Sequence, residues 1–335
     1  MIAITATLLG LTPGLAAQDR ALTPVEQAAA VKVDEALARQ DFVLARTLLA
    51  APELAQVGEV HVVLAQLHAS GRGGPVDQAA ANQEYRRAAE LGHMRGAMIL
   101  AERLEKDPDA ASRAEARSWF TVGANAGNAH ALAHLGRMAW DSGDKPAAFT
   151  SWAKAAPRDG LAASCLGMVY ATGQGASADQ LLADYQFFRI MGAAPSEGLP
   201  CVVTAGASGN IWAQHLLGQW YSDKRSELYN PTKAVEAFAK AAANGHGRAA
   251  YALAQMLDKG DGVPRDTAGA YQNYLRAAND GNNDAWRRLA AMALAGDGVP
   301  RNVADAIIFC RRTMRMKASI NLALFMPGVR GGHPI

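Results

Sequence analysis

Four groups of residues in this 335-residue chain have types and spacings that could do chemistry. Ser151-Trp152-Ala153-Lys154 has the Ser-x-x-Lys spacing, in which a lysine one helical turn away helps to deprotonate a nucleophilic serine. His130 and His134 stand four apart, the spacing that brings two imidazoles to one helix face as metal ligands. Cys165, Cys201 and Cys310 are the three cysteines, able to pair or to react. Gly71-Arg72-Gly73-Gly74 could cradle a phosphate if it joined a strand to a helix. The chain has no Gly-x-Ser-x-Gly elbow and no Cys-x-x-Cys pair.

What these residues can do depends on the elements that position them, and a repeat dictates those elements. Tyr85, Phe120, Trp152, Phe187, Phe238 and Tyr274 follow one another at steps of 35, 32, 35, 51 and 36, and Cys310 falls where a seventh aromatic would stand. Residues 247–281 show the unit best. Ala249, Leu253, Met256 and Leu257 form the stripe of a helix with one buried face. Gly260 and Gly262 then break that helix, because glycine accepts the positive φ of a tight exit. Pro264 suits the approach to a second helix carrying Ala270, Tyr274, Ala277 and Ala278, which Gly281 ends. The first-helix leucine recurs at Leu64, Leu100, Leu135, Leu166, Leu217, Leu253 and Leu289, each followed by Ala or Gly. Ala-Ala pairs recur at 88–89, 155–156, 241–242 and 277–278, and inter-repeat glycines at 92, 127, 209, 245 and 281. A unit this small cannot bury its apolar face alone, so neighbours must bury it together.

The frame Ala-x-x-x-Leu-Gly-x-x-Tyr, a Gly-x-Gly turn, then Ala-x-x-x-aromatic-x-x-Ala-Ala-x-x-Gly resembles the Sel1-like (SLR) repeat, a relative of the tetratricopeptide repeat. The resemblance covers roughly residues 60–316, with degenerate turns at Lys106-Asp107-Pro108-Asp109 and Ser142-Gly143-Asp144. It implies an all-α fold: a right-handed α-solenoid of about seven helix-turn-helix repeats, one elongated domain with an N-terminal helical cap. It also implies an adaptor or regulatory role, as in periplasmic regulators of signalling and exopolysaccharide production. Cysteine-rich SLR proteins are associated with β-lactam binding or hydrolysis, but they carry a disulfide in most repeats.

Placed in the frame, most of the chemistry dissolves. Trp152 is the aromatic-column residue and Lys154 has counterparts in Lys240 and Arg276, so Ser-x-x-Lys is a by-product of the repeat and no catalytic residue is assigned. Ala131, not Glu, follows His130, so the two histidines read as packed or solvated helix residues and no metal or cofactor is assigned. His68 takes the usual Tyr position and reads as a core histidine, and Cys310 reads as a buried free thiol. The Gly71–Gly74 turn follows a helix, which removes the phosphate-loop reading. The step of 51 residues exceeds its neighbours by about 15 and places an insertion at about 194–210, after the second helix of repeat four. Cys165 lies on the first helix of that repeat, so a Cys165–Cys201 disulfide would pin the insertion and leave one thiol over.

Residues 1–17, apolar and ending Gly-Leu-Ala-Ala, resemble a secretory signal peptide, although the first cation is Arg20. The run is short for a membrane span, and no transmembrane segment is expected in the mature chain. Residues 18–58 are expected to form capping helices, opened by the capping box Thr23-Pro24-Val25-Glu26. Residues 60–316 form the array, and 317–335 a C-terminal cap and tail. Net charge is +2, from 33 basic and 31 acidic residues, which gives no nucleic-acid signature.

The remaining functional surface is the groove lined by first helices. Positions five before and two after the core leucine point away from the second helix. They hold Arg95, His130, Trp212, Arg248 and Asp284, then Glu102, Arg137, Gln219 and Gln255. Trp212, Arg137 and segment 194–210 are the expected contact zone, since Trp and Arg dominate binding hot spots. The expected function is a non-enzymatic interaction scaffold of the bacterial envelope, binding a protein or peptide partner, periplasmic or secreted. Two alternatives stand beside it: an SLR-type enzyme or binder acting on β-lactam or cell-wall substrates, and a cytosolic adaptor.

Overall fold

A computed structural model describes residues 21–191 and 197–313; the signal-peptide stretch 1–17 and the tail 317–335 lie outside them. The described residues form an α-solenoid of helix pairs, with no strand among them. Two compact units divide the chain at Asp144 and Lys145. The repeat frame runs across this point and predicts one continuous domain. The division falls at the degenerate Ser142-Gly143-Asp144 turn, which lacks the second glycine of the full motif.

The first unit contains α1 (Pro24–Ala38), α2 (Phe42–Leu49), α3 (Gly58–Ser70), α4 (Gln78–Glu90), α5 (Met94–Glu105), α6 (Ala110–Asn125) and α7 (Ala129–Asp141). Thr23 and Glu26 form the capping box at the start of α1: the Thr23 hydroxyl accepts from the Glu26 N–H and the Glu26 carboxylate accepts from the Thr23 N–H. The α1–α2 hairpin buries Val33, Leu37 and Leu49 against Val60, Leu64 and Leu67 of α3, closing the apolar end of the array. Farther on, Tyr85 and Phe120 fill the spaces between helices, with Ala81, Ala88, Ala97 and Ala116 letting backbones approach.

The second unit contains α8 (Lys145–Ala155), α9 (Gly160–Thr172), α10 (Gln180–Arg189), α11 (Leu199–Ala207), α12 (Ile211–Ser222), α13 (Pro231–Ala243), α14 (Gly247–Lys259), α15 (Thr267–Asn279), α16 (Asn283–Ala295) and α17 (303–313). Trp152, Phe187, Phe238 and Tyr274 are buried here, as the aromatic column requires. In the turn motif, Gly260 and Gly296 end their helices in the left-handed region. A Cβ on Gly262 or Gly298 would strike Pro231 or the Thr267 carbonyl in the first turn of the preceding repeat's second helix. The second glycine of Gly-x-Gly is therefore there for close packing as well as for its positive φ.

The insertion is the main departure from expectation. It contains a helix, α11, that packs on both α9 and α12. In the repeat frame Ala205-Gly206 occupies the Ala-Ala position and Gly209 the inter-repeat glycine, which puts buried Val202 where the aromatic would be. α10 already carries buried Ala183 and Phe187 at the frame's alanine and aromatic positions, so α11 is an additional helix after it, opened by Pro200 in its first turn. Cys165 on α9 and Cys201 on α11 are joined by a disulfide, with Cα atoms 4.9 Å apart.

Two single-residue expectations also fail. Cys310 is exposed, and on α17 the aromatic that packs inward is its neighbour Phe309, tilted against Trp286 at 5.5 Å. The frame itself is kept, since Ala306 is buried at the place of Ala270. His68 is half-buried, not in the core, and its ring nitrogen meets the Arg46 guanidinium of the cap. Burial and this neighbouring cation push its pKa below the ordinary value.

Candidate functional site

Five of the first helices start with a polar residue that follows the inter-repeat glycine. His93, Asn128, Asn210, His246 and Asn282 each accept from the backbone N–H three residues on. This fixes the register of the first-helix side chains, and two groups of them stand out, one in each unit.

In the second unit, α10 leaves Leu181, Leu182, Tyr185 and Phe188 exposed, with Leu181 at 83%. Leu181, Tyr185 and Phe188 follow i, i+4, i+7 spacing and share one face. Phe188 meets the half-buried Trp212 edge-on at 5.6 Å, and Trp212 in turn meets His215 and His246. His215 lines a cavity of about 430 Å³ with Met191, Gln219, Arg248, Gln255 and Met256. Gln219 Oε1 and His215 Nδ1 are buried there with no hydrogen-bond partner among the described residues. Burial, together with His246 and Arg248, lowers the His215 pKa to about 4. His246 is also lowered, chiefly by burial. The cavity therefore presents the neutral His215 imidazole and amide groups at neutral pH, with Arg248, Lys259 and Asp261 also on its lining, beside an apolar strip.

In the first unit, α5 and α7 bring acids against histidines. The His130 Nε2 lies 3.2 Å from Glu102 Oε1 and 3.1 Å from His134 Nε2. His134 is fully buried, stacked at 4.5 Å on Phe120, and its Nδ1 lies 2.7 Å from Glu105 Oε2. The Arg137 guanidinium donates to the same Glu105 carboxylate. Burial opposes ionisation of both acids, but hydrogen bonds from His130 to Glu102, and from His134 and Arg137 to Glu105, outweigh it and hold both carboxyls below their ordinary range.

Of the residues proposed from sequence, Glu102, His130 and Arg137 thus lie in one network, while Gln219, Arg248 and Gln255 line one cavity with Trp212 close by. Arg95 is half-buried on α5, and the exposed Asp284 is ion-paired with Arg287. Arg137 and Trp212 belong to different units, and Arg137 is bound to Glu105. Sequence reasoning missed Glu105, His215 and His246 and discounted His134. One signal was available for Glu105: it stands five residues after Leu100, as Asp258 stands after Leu253, and a basic residue precedes each following core leucine.

Both units are assembled from stacked helix pairs with an aromatic column, which defines the class as an α-solenoid repeat protein. The Sel1 repeat pattern matches at residues 61–93, 162–183, 213–246, 247–282 and 284–313, and the chain carries Sel1 repeats there. Such repeats typically mediate protein–protein interaction and are generally a non-catalytic scaffold. Among solved structures, the chain is similar to c5321, a protective antigen present in uropathogenic Escherichia coli strains and displaying an SLR fold. That likeness has 20% identity and a TM-score of 0.44, over 86% of this chain and 69% of that one. It is also similar to a Sel1 repeat protein from Oxalobacter formigenes, at 19% identity and a TM-score of 0.32, over 91% of this chain and 99% of that one. No curated protein matches the chain. Among the described residues, no helix is long and apolar enough to cross a membrane.

Proposed function

We propose that this chain is a non-catalytic interaction scaffold of the bacterial cell envelope, and that it captures a peptide segment of a partner protein on its second unit. The observation that carries this reading is the exposed apolar face of α10, continuous through Phe188 and Trp212 with the cavity lined by His215 and Gln219. Exposed apolar side chains that share a face mark interaction sites. An apolar side chain of the segment covers Leu181, Tyr185 and Phe188. A backbone N–H of the segment supplies the donor that the buried Gln219 Oε1 lacks. The envelope assignment is supported by the Cys165–Cys201 disulfide, which persists in oxidising compartments, and by the signal-like stretch 1–17. Fractionation that finds the chain only in the cytosol removes that assignment and leaves the docking face untouched.

The docking face is tested with a displayed peptide library selected against the purified chain. Enriched peptides should bind Phe188→Asp and Gln219→Leu at least about tenfold more weakly, a loss of about 1.4 kcal/mol. Phe188 is exposed, so its substitution leaves the core intact. Enriched peptides that bind both folded variants as tightly as wild type would place the docking surface elsewhere.

A further inference from the structure

The histidine–carboxylate group of the first unit is arranged as a metal site. The Nε2 atoms of His130 and His134 are 3.1 Å apart, Glu102 Oε1 is 3.2 Å from the first of them, and the three ligand atoms all lie within 4.8 Å of one another. A tetrahedral ion with bonds of roughly 2.0–2.1 Å keeps its ligand atoms about 3.3 Å apart, so these two separations suit one ion.

The surroundings point the same way. Glu105 Oε2 lies 2.7 Å from the His134 Nδ1, and the Arg137 guanidinium donates to the same carboxylate. That contact orients the His134 ring so that its Nε2 faces His130, 3.1 Å away. A carboxylate that orients a histidine through its second nitrogen is the usual outer shell of a metal-bound imidazole. Here the carboxylate is itself held by Arg137, and stacking on Phe120 fixes the ring plane. His130 and Glu102 sit at the surface, with side chains 42% and 32% exposed, while His134 closes the site from below.

We propose that Glu102, His130 and His134 bind one divalent transition-metal ion, Zn²⁺ in the first instance, with the outer coordination position open to solvent or to a donor atom of a docked partner. Two imidazoles and one carboxylate favour such an ion over Ca²⁺ or Mg²⁺, which take oxygen ligands. The site lies within residues 94–161, between two matched stretches of the Sel1 pattern, so the repeat pattern itself does not call for these side chains.

The test uses the full chain without a histidine tag, stripped with a chelator and titrated with Zn²⁺ by calorimetry and with Co²⁺ by absorption spectroscopy. One ion per chain should bind, and Co²⁺ should give the intense visible bands of low-coordinate cobalt. Replacing a ligand, His130→Ala or Glu102→Gln, should weaken binding by more than the roughly 10–100-fold expected for the outer-shell change Glu105→Gln. His61→Gln serves as control and should leave affinity unchanged, because His61 pairs with Glu84 outside this group. Both ligand substitutions are at partly exposed positions, and circular dichroism confirms that the variants fold. Absence of saturable binding to wild type, or equal affinity in wild type and folded His130→Ala, overturns the assignment and leaves a hydrogen-bonded network alone.

Discussion

Glu105 in the first unit and Asp258 in the second hold the same place in the repeat, five residues after the core leucine, yet they serve different partners. Each accepts from the residue one before the next core leucine, which is His134 for Glu105 and Arg288 for Asp258. The Arg288 guanidinium grips both Asp258 oxygens, at 2.6 and 2.7 Å, and reaches Asp297 at 3.3 Å. The Tyr274 hydroxyl donates to Asp258 at 3.2 Å. Arginine keeps its charge at any physiological pH and has no lone pair to offer, so this group can only clamp one repeat to the next. Histidine in the same position donates through one nitrogen and turns the other towards His130. One substitution in the frame converts a clamp into a group with a lone pair available for coordination. A repeat array can gain a site in this way without changing its fold.

The comparison breaks first if the clamp is not structural. Asp258→Ala removes the acceptor of Arg288 and Tyr274 and should cost about 3–4 kcal/mol in urea unfolding, with the same loss in Zn²⁺ or in chelator. A loss below about 1 kcal/mol would class the pair with ordinary surface ion pairs. A slightly smaller effect is expected from a histidine that has no carboxylate at hydrogen-bond distance. His215 titrates near 4 in the folded chain, against an ordinary 6.5, because burial, His246 and Arg248 disfavour its charged form. Its neutral form therefore stabilises the fold fully above about pH 6.5, and that contribution is lost as pH falls towards 4. The loss is on the order of 3 kcal/mol. Urea midpoints between pH 7.5 and 4.5 should fall in wild type and fall less steeply in His215→Met, where His246 and His68 still contribute. The acids Glu102, Glu105 and Asp258 are held below their ordinary pKa values and weaken the fold only at still lower pH. An unchanged slope in His215→Met would assign the acid sensitivity to other groups.

Much of this fold was legible because the repeat imposes the same burial several times. Tyr85, Phe120, Trp152, Phe187, Phe238 and Tyr274 are all buried, and a single column position could not have been read with that assurance. The frame misleads where the chain departs from it. The insertion reads as extra residues after the second helix of repeat four, and what the spacing did not show is that they form a further helix, α11, whose Val202 takes an aromatic's place before α12. At Cys310 the column position is exposed, and the neighbouring Phe309 packs on Trp286 instead. The sites were harder still to read. A His-x-x-x-His spacing prompts a search for an acid on the same helix, and Ala131 ends that search. The acids come instead from α5, about one repeat upstream, and only the stacking of α5 and α7 brings Glu102 and Glu105 to the histidines. The cavity around His215 and Gln219 depends in the same way on α12 and α14 lying side by side.

The smallest effect sharpens the comparison most, because it asks how the histidine group is held together. Glu105 accepts from both His134 and Arg137, so removing one donor leaves the other in place. Arg137→Met keeps most of the apolar stem of the side chain and should cost only about 1 kcal/mol, the usual net value of a partly exposed charged hydrogen bond. If Arg137 acts through Glu105, the same substitution in a Glu105→Gln background should cost close to nothing, since the ionised acceptor is already gone. A double-mutant cycle by urea unfolding measures this coupling directly. A coupling of about 1 kcal/mol makes Arg137 a positioning residue for the Glu105–His134 pair. Additive costs would show that Arg137 stabilises the fold through other contacts, and that His134 alone fixes the carboxylate.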